Sequence, residues 1–370
     1  MLAEELLSLG AERTEVVNRG VTFYGGRALL YRINLGSRLA LRVLLPVLNF
    51  QATDSHALYR QVKRFDWSRY LDNRMTFSID PVVHSPYFSN SQFVAQKVKD
   101  AIADRFRELT SLRPSVNRED PDLLINVHIS GKWVTVSLDS SGGSLHRRGY
   151  RSGHFEAPLN EVLAAGMVMI SGWDGSTPFL DPMCGSGTLA IEAALMAGGI
   201  PPGIFRKQFG FENWKDFDRE LMEHVAHGLS AEKEVNVPIV ARDKDPAALQ
   251  VARQQVKHLD LEHVISLEQG DFLDAKGDEG LTLIMNPPYG ERLKHEDLDS
   301  LYGGIGSTLK HKFPGSSAWI LSSSKKALGR VGLKPASKRI LFNGALECTY
   351  VNYLTFKGNW KDFKAGNQEG

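Results

Sequence analysis

The C-terminal half of the sequence alternates short apolar segments with helical segments, and this alternation constrains the fold more than any other feature. The apolar segments are typical of strands: "PFLDPMC", "PIVARD", "ISLEQGD", "LTLIMNPPY" and "AWILSSS". Helical patterns at 188–197, 246–259 and 297–312 lie between strands, and a final strand pair near 338–356 can form an antiparallel hairpin. Repeated βα units predict a parallel sheet covered by helices, with ligand sites at the carboxyl ends of its strands.

The N-terminal residues have a different organisation. A short helix, "AEELLSLG", is followed by β-rich runs, and a second region combines a long helix near 91–109 with two period-2 strands that end at Asp139. The loop "SSGGSLHRRGYRSGHFEAP" is rich in glycine and serine and then basic, which favours a domain boundary there. We therefore predict two α+β regions, 1–58 and 59–150, before an α/β domain at 151–370.

The net charge of +1 conceals an asymmetry between the two halves. Residues 1–155 contain 21 Lys and Arg against 15 Asp and Glu, whereas residues 156–370 contain 23 against 28. The basic half is the candidate surface for a nucleic acid. The alternative is a chance difference between unrelated domains.

Cysteine usage and hydropathy exclude several classes of protein. The two cysteines, Cys184 and Cys348, are far apart and form no CxxC motif, so the sequence predicts neither a disulfide framework nor a zinc site. His224 and His227 lack companion ligands and are typical of a surface helix. No apolar run approaches the roughly 18 residues that span a bilayer. We expect a cytoplasmic protein without a metal or a membrane partner.

A glycine turn follows the first strand of the βα series, in "FLDPMCGSGTLAIEAALMA". Gly185 and Gly187 let the backbone approach a ligand closely, and the helix that begins near Thr188 offers unpaired N–H groups. Asp181, at the end of the strand, can accept hydrogen bonds from an ammonium group or from bound water. The turn matches neither GxGxxG nor GxxxxGK[ST], so it does not predict a dinucleotide or P-loop site.

Acidic residues also end the next two strands, in "VARDKDP" and "EQGDFLD". Asp243 can bind both ribose hydroxyls of a nucleoside, while Asp271 can accept a hydrogen bond from an adenine amine beside Phe272. Taken singly, each acid is typical of a solvated loop. Together with Asp181, they predict a nucleoside-shaped pocket.

The fourth strand ends in Asn286, Pro287, Pro288 and Tyr289. The prolines cannot donate to a sheet ladder and fix φ, so the chain leaves the sheet in one stiff direction. An exocyclic base amine is a poor nucleophile, but the Asn286 side-chain oxygen and the Pro287 carbonyl can accept its two N–H bonds and direct its lone pair at a methyl group. Tyr289 can stack on a flipped base. The turn predicts methyl transfer to a nucleobase amine.

These motifs resemble those of a known family. "DPMCGSGT", "ARDKDP", "GDF" and "NPPYGER", in this order, look like S-adenosylmethionine-dependent amino-methyltransferases. "NFQATDSHALYRQV", "NSQFVAQKVKDAIADRF" and "LDSSGGSLHRRGYR" are similar to the THUMP RNA-binding module with its ferredoxin-like partner. Together they resemble the bacterial RlmL-type 23S ribosomal RNA guanine-N2 methyltransferases. The implied fold class is α/β: a Rossmann-like methyltransferase sheet at 151–370, after a ferredoxin-like subdomain at 1–58 and a THUMP domain at 59–150.

The resemblance implies S-adenosylmethionine as the cofactor and assigns residues to it. The loop after the first strand would surround the methionine part, Asp243 would hold the ribose, and Asp271 the adenine. Ala157 and Pro158 would cover the cofactor. The predicted cofactor-binding residues are Ala157, Pro158, Asp181, Pro182, Cys184, Gly185, Gly187, Thr188, Asp243, Lys244, Asp271, Phe272 and Asn286. The predicted catalytic residues, which would receive the guanine, are Asn286, Pro287, Pro288 and Tyr289.

The expected macromolecular partner is RNA, with ribosomal RNA favoured over transfer RNA. The predicted phosphate contacts are Lys97, Lys99, Arg105, Arg147, Arg148 and Arg151. For the cations on the long helix, a solvated helix face is the alternative. Adenine-N6 methylation shares the turn geometry, and a non-catalytic RNA-binding protein is the alternative outside enzymes.

Two further expectations concern the extent of the chain. It starts on a helix where the family has a strand, which indicates a truncated N-terminus. It ends before the second methyltransferase domain that many RlmL-type proteins carry, so a single activity is expected. The sequence does not determine the oligomeric state, and a monomer is favoured.

Overall fold

A computed structural model describes residues 1–151, 159–230, 233–288 and 295–357, without the side chains of 295 and 296. The chain forms two compact units. The first combines Met1–Leu145 with Gly203–Leu229, and the second combines His146–Pro202 with Ser230–Gly370.

The described elements alternate along most of the chain. The helices are α1 (Leu2–Ser8), α2 (Arg27–Gly36), α3 (Ser55–Arg64), α4 (Ser91–Thr110), α5 (Glu161–Ser171), α6 (Thr188–Ala197), α7 (Arg219–Leu229), α8 (Pro246–His258), α9 (His295–Lys312) and α10 (Lys325–Arg330). The strands are β1 (Arg13–Val17), β2 (Gly20–Tyr24), β3 (Leu44–Gln51), β4 (Thr76–His84), β5 (Ser115–Val116), β6 (Leu123–Ser130), β7 (Trp133–Asp139), β8 (Phe179–Asp181), β9 (Ile239–Asp243), β10 (Ile265–Gln269), β11 (Thr282–Met285), β12 (Ser317–Ser322), β13 (Pro335–Asn343) and β14 (Leu346–Leu354).

The first unit contains a five-stranded sheet in the order β3-β7-β6-β4-β5 and a separate β1-β2 hairpin. Helices α3 and α4 have side-chain N-caps: Asp54 accepts from the backbone N–H groups of His56 and Ala57, and Asn90 accepts from that of Phe93. Helix α4 ends at Thr110, and the C-cap residue Ser111 adopts a left-handed conformation with φ of 59°. One hydrophobic core extends through this unit. Its α+β class agrees with the prediction.

Residues 203–229 belong to the first unit although they follow α6 in sequence. Phe209, Phe211 and Trp214 are buried in that unit's core, and the Phe211 ring lies 4.5 Å from the ring of Tyr31. These aromatic side chains therefore serve to pack the core of the first unit. Prediction from sequence placed the whole of 151–370 in one domain and did not anticipate the excursion, by which we mean the inclusion of residues 203–229 in the first unit. The exact domain boundaries stay predictions.

Gly210 shows why the excursion fits closely. A Cβ atom on Gly210 would lie 2.5 Å from the backbone oxygen of Asp139 and 2.7 Å from the backbone nitrogen of Gly142. The backbone N–H of Phe211 donates to the Ser140 carbonyl at 3.0 Å. Glycine at this position allows the two backbones to meet.

The second unit contains a seven-stranded sheet in the order β10-β9-β8-β11-β12-β14-β13. Strands β8 to β12 are mutually parallel, and β14 pairs antiparallel with both β12 and β13. The predicted parallel sheet and terminal hairpin are confirmed. The strand order reverses between β8 and β11, where an open α/β sheet has a crevice for ligands.

Among the helices that the structure describes, none combines the length and the apolar character that a membrane crossing requires.

Candidate active site

A cavity of about 240 Å³ lies at the carboxyl ends of β8, β9, β10 and β11. Four strand-end loops, the start of α8 and one residue of α9 line it. The lining residues are Pro182, Met183, Gly185, Asp243, Lys244, Asp245, Ala248, Gly270, Asp271, Phe272, Asn286, Pro288 and Leu301. The structure thus brings together eight residues of the predicted cofactor and catalytic sets.

The loop between β8 and α6 is shaped by two glycines. Gly185 and Gly187 have φ values of 52° and 80°, which residues with a Cβ atom rarely adopt. A Cβ atom on Gly187 would also lie 3.3 Å from that of Ala252 on α8. These glycines let the loop turn from the strand into α6 beside the cavity.

Asp181, the last residue of β8, is a buried carboxylate. It is 1% exposed, and neither side-chain oxygen accepts a well-formed hydrogen bond from a described residue. Burial raises its pKa well above the ordinary range, the nearby Asp243 carboxylate raises it further, and the Met183 backbone N–H partly offsets the increase. A buried carboxylate without a partner fits a cationic ligand group such as the ammonium of a bound amino acid.

Asp243, at the end of β9, holds two loops in place. One side-chain oxygen accepts from the Gly185 backbone N–H at 2.8 Å, and the other accepts from the Asp245 backbone N–H at 2.9 Å. Each oxygen retains acceptor capacity for a ligand hydroxyl. The neighbouring Arg242 donates to Glu268 on β10 and does not line the cavity.

The loop after β10 supplies an acidic and an aromatic side chain. One Asp271 oxygen accepts from the Leu273 backbone N–H at 2.9 Å, and the other lies 3.9 Å from the Lys244 ammonium. Phe272 is buried and stacks on Phe313, with ring centroids 5.4 Å apart. The cavity therefore has a polar group and an apolar wall side by side, as an adenine requires.

Asn286 follows β11 at the cavity wall. Its side-chain oxygen is buried and has no hydrogen-bond partner among the described residues. Pro287 is buried and Pro288 lines the cavity. The predictions for Tyr289, Ala157 and Pro158 lie outside the described residues.

Several predicted cofactor residues are adjacent to the cavity without lining it: Asp181, Cys184, Gly187 and Thr188. Burial raises the pKa of the Cys184 thiol, and its backbone N–H donates to the Arg242 carbonyl, so Cys184 is an inert packing residue. Prediction missed five of the lining residues: Met183, Asp245, Ala248, Gly270 and Leu301. Met183 sits inside the recognised loop, whereas nothing in the α9 sequence distinguishes Leu301.

The predicted RNA contact at Arg148 is wrong. Arg148 is 1% exposed, and its guanidinium pairs with the buried Glu192 carboxylate on α6 at 3.4 Å. Arg151 also pairs internally, with Glu161 at 2.8 Å, and donates to the Leu159 carbonyl. A buried guanidinium that neutralises a buried acid is not available to a phosphate.

The remaining predicted RNA contacts differ in exposure. Arg147 is exposed, whereas Lys97, Lys99 and Arg105 on α4 are half-buried. The Lys97 ammonium lies 5.6 Å from the centroid of the Phe93 ring, and Lys99 pairs with Asp100 at 3.0 Å. The structure gives the positions of these cations, and their role in RNA binding stays a prediction.

The fold and the cavity define a class. A Rossmann-like sheet that presents Asp181, Asp243 and Asn286 around one strand-end cavity is that of an S-adenosylmethionine-dependent methyltransferase. Residues 148–352 match the family model described as "RMKL-like, methyltransferase domain". The chain therefore belongs to the RMKL-like methyltransferase family, and its cofactor is S-adenosylmethionine.

The N-terminal residues match two further models, the RlmL ferredoxin-like domain at 1–44 and the THUMP domain at 52–139. These matches confirm the predicted fold class and the family resemblance.

Curated relatives extend the match over nearly the whole chain. A Synechocystis protein named as an RNA methyltransferase, slr0064, is 40% identical over 95% of this chain and 92% of its own. The ribosomal RNA large subunit methyltransferase K/L of Photobacterium profundum is 39% identical over 100% of this chain and 53% of its own. The methyltransferase K/L of Syntrophotalea carbinolica is 37% identical over 95% of this chain and 52% of its own. This chain thus spans about half the length of the K/L relatives.

Solved structures show the same architecture. SMU.472, named as a methyltransferase and complexed with SAH, superposes with a TM-score of 0.86 and 30% identity over 96% of this chain and 95% of its own. A Listeria monocytogenes protein named as an N6-adenine-specific DNA methylase has a TM-score of 0.85 and 30% identity over 96% and 92%. TrmN from Thermus thermophilus, with a TM-score of 0.66 and 20% identity over 95% and 96%, shares the fold.

Proposed function

We propose that this chain transfers a methyl group from S-adenosylmethionine to the N2 amine of a guanine in 23S ribosomal RNA. The observation that carries the proposal is the unpaired, buried side-chain oxygen of Asn286 at the wall of the cofactor cavity. The names of the K/L relatives and the THUMP domain support ribosomal RNA as the substrate.

The chemistry depends on positioning the amine. When bound, S-adenosylmethionine supplies an electrophilic methyl group. The Asn286 side-chain oxygen accepts one N–H of the guanine amine and the Pro287 carbonyl accepts the other, so the nitrogen lone pair is aimed along one direction. The amine forms the new N–C bond as the S–C bond breaks, and its extra proton then leaves to solvent. Proline at two successive positions fixes the direction of the accepting carbonyl.

The other proposed roles follow the strand ends. Asp181 pairs with the ammonium of the methionine part, Asp243 binds the ribose hydroxyls, and Asp271 accepts from the adenine amine. The remaining members of the predicted cofactor set, Ala157 and Pro158 included, surround these three, and Tyr289 stacks on the guanine.

The N-terminal unit would hold the folded RNA. Residues 1–155 carry the excess of basic residues, and a cation that contacts a phosphate adds a salt-sensitive contribution to the affinity. We place the reaction in the cytoplasm, where ribosomal RNA is made and assembled in bacteria, and expect a monomer.

Two alternatives keep the same mechanism with another substrate. Guanine-N2 methylation of transfer RNA is one, because THUMP-type modules serve both kinds of RNA. Adenine-N6 methylation is the other, and the name of the Listeria structural relative favours it.

The test identifies the methylated nucleoside. The purified protein and labelled S-adenosylmethionine are incubated with ribosomal and transfer RNA from a strain that lacks the gene, and the digested RNA is analysed by mass spectrometry. N2-methylguanosine in 23S ribosomal RNA supports the proposal. The same nucleoside in transfer RNA alone would overturn the substrate, and N6-methyladenosine would overturn the base.

The first variant to test is Asn286→Ala. Because the amide positions the amine and is not needed for folding of the strand, kcat should fall at least about 100-fold while the affinity for S-adenosylhomocysteine, measured by calorimetry, stays close to that of the wild type. Loss of cofactor binding together with activity would assign Asn286 to the cofactor instead.

A further inference from the structure

The hairpin of β13 and β14 projects beyond the rest of its sheet. Strand β12 ends at Ser322, which pairs with Thr349 of β14. The hairpin continues past that point through the pair Leu341 and Cys348 to the pair Asn343 and Leu346. Since β11 and β12 are parallel, this projection lies at the same edge of the sheet at which Asn286 leaves β11.

The projecting residues expose large apolar side chains. Phe342 is 60% exposed, Ile340 52% and Leu346 46%. Side chains alternate along a strand, so Ile340 and Phe342 lie on one face of β13 together with Lys338. In the second unit, Trp173, Phe179, Phe272, Phe313, Trp319, Tyr302, Tyr350 and Tyr353 are all buried. The exposure of Phe342 departs from that pattern.

The charge around this hairpin also departs from that of its domain. Residues 156–370 have an excess of acids, yet residues 323–347 contain six basic residues and one acidic residue. Lys326 and Arg330 are neutralised by Asp299. Lys338 and Arg339 are exposed and form no ion pair with any residue that the structure describes. The exposed Phe342 therefore shares its face of β13 with the available Lys338, and the available Arg339 projects from the other face of the same edge strand.

We propose that the tip of this hairpin, residues 338–347, binds the RNA strand next to the target nucleotide. Phe342 stacks on a base, and Lys338 and Arg339 contact phosphates. Single-stranded RNA is bound by this combination, since any base can stack on an aromatic ring and cations follow the backbone. The inference rests on the proposed function, because it takes the substrate to be RNA.

The distance along the sheet suits this role. Three strand spacings separate β11 from β13, in the order β11-β12-β14-β13, which amounts to about 14 Å at about 4.8 Å each. A base at the Asn286 turn and a base on Phe342 are then separated by a few nucleotides of one extended strand.

A second copy of the chain is the rival occupant, because β13 is an edge strand. The charges on β13 oppose the pairing of two copies along this strand. Arg339 is the central residue of β13, so antiparallel pairing of two copies in full register would place the Arg339 side chains opposite each other beside two Lys338 side chains. Like charges directly opposite on a sheet are destabilising, and charged residues on an edge strand prevent such association.

The experiment measures RNA binding separately from methylation. The variants are Phe342→Ala and the double variant Lys338→Gln/Arg339→Gln, and the probe is unmodified 23S ribosomal RNA transcribed in vitro. The matched controls are Leu354→Ala, at the opposite end of β14, and Lys310→Gln, an exposed cation in the last turn of α9. The affinity for S-adenosylhomocysteine confirms that each variant is folded.

Removing the ring should raise the Kd for the RNA about tenfold. Removing the two cations should lower the slope of log K against log salt by about 1.4, as expected for two phosphate contacts on a single strand. Ultraviolet crosslinking should join the RNA to the peptide that contains Phe342. The controls should leave these quantities unchanged.

The outcomes separate the two proposals. Unchanged RNA affinity and salt slope in both variants, with methylation intact, would overturn the hairpin site and leave the function standing. Crosslinks at Phe342 without methylated guanine would overturn the function alone. Absence of RNA binding by the wild type would overturn both, and a dimer that Phe342→Ala dissociates at unchanged RNA affinity would assign the hairpin to a second copy.

Discussion

At the scale of single residues, two polar groups are not satisfied by the rest of the fold, one at the cavity wall and one beside the cavity. The Asp181 carboxylate and the Asn286 side-chain oxygen are buried without well-formed hydrogen bonds from described residues. An unsatisfied buried polar group costs about 1–3 kcal/mol, and a charged one costs more. The free energy of unfolding is thus lower than it would be with apolar groups at these positions, and a bound ligand restores stability by supplying the missing donors.

The variant Asp181→Asn tests this for the carboxylate. Its affinity for S-adenosylhomocysteine should fall about 10- to 100-fold, because a charge-assisted hydrogen bond contributes about 1.5–3 kcal/mol. Without ligand, its thermal midpoint at pH 8 should equal or exceed that of the wild type, since no carboxylate remains to be ionised in a buried site. Calorimetry and thermal unfolding measure the two effects.

Asp120→Asn, at an exposed position, is the matched control and should change neither quantity. Unchanged ligand affinity in Asp181→Asn would contradict the assignment to the ammonium group.

Sequence reasoning located the residues whose position follows from the strand pattern. Asp181, Asp243, Asp271 and Asn286 all end strands of one parallel sheet, so their convergence could be predicted. The burial of Arg148 could not, because its partner Glu192 lies 44 residues away on α6 and an Arg-rich loop is typical of an exposed surface.

At the scale of elements, a charged cluster connects α5 and α6 to the segment before them. Arg151 pairs with Glu161 at the start of α5, while Arg148 and the Tyr150 hydroxyl both contact Glu192 on α6. Burial raises the pKa of Glu161 to about 7, and the Arg151 guanidinium offsets part of the increase. The cluster attaches the segment 148–151 to α5 and to α6. Its formation requires the desolvation of two carboxylates, those of Glu161 and Glu192.

The cluster predicts a pH dependence of stability. The pKa of Glu161 is higher in the folded protein than in the unfolded chain, so its contribution is fully present below about pH 4.5 and is lost as the pH rises through about 7. Between these pH values the free energy of unfolding should therefore decrease less in Glu161→Gln than in the wild type. The difference between the two decreases should be about 3 kcal/mol at most. Urea unfolding at several pH values measures this difference.

Glu262→Gln, the substitution of an exposed acid, serves as the control for Glu161→Gln. An identical pH slope in wild type and Glu161→Gln would mean that the pKa of Glu161 is the same in the folded protein and in the unfolded chain.

Helices with a clear hydrophobic pattern and clear end signals in the sequence could be predicted, and helices without them could not. Helix α6 was predicted with its observed bounds, and α8 and α9 to within two residues. Helix α2 was missed because its N-cap is Gly26, without a side-chain cap, and β-rich sequence lies on both sides of it. Packing of its buried side chains in the first unit's core stabilises that segment as a helix.

At the scale of the whole molecule, the two units do not follow chain order. The first unit is completed by residues 203–229, which lie between α6 and β9 of the second. Sequence reasoning could not find this arrangement, because the partners of Phe211 and Gly210 are Tyr31, Ser140 and Asp139, far away in the N-terminal half.

A fragment of residues 146–370 tests this arrangement. Without the first unit's core, Phe209, Phe211 and Trp214 lose the groups that bury them, so the fragment should bind hydrophobic dyes and aggregate. Replacing 203–229 by a short Gly-Ser linker should give a monomeric fragment that binds S-adenosylhomocysteine. The linker can be short because the Lys233 N–H donates to the Gly198 carbonyl at 2.9 Å, which holds the two ends near each other. A monomeric, dye-free fragment that retains 203–229 would contradict the prediction.

The excursion also sets an order of events during synthesis. When residue 145 leaves the ribosome, the first unit still lacks Phe209, Phe211, Trp214 and α7, so its core stays open while β8 and α6 are being made. It can close only after Leu229 has emerged, about 4 to 17 s after Leu145 at typical rates of roughly 5–20 residues per second. During this interval the nascent chain contains two incomplete cores with exposed apolar side chains. A chaperone that binds exposed aromatic segments would therefore bind the chain at that stage.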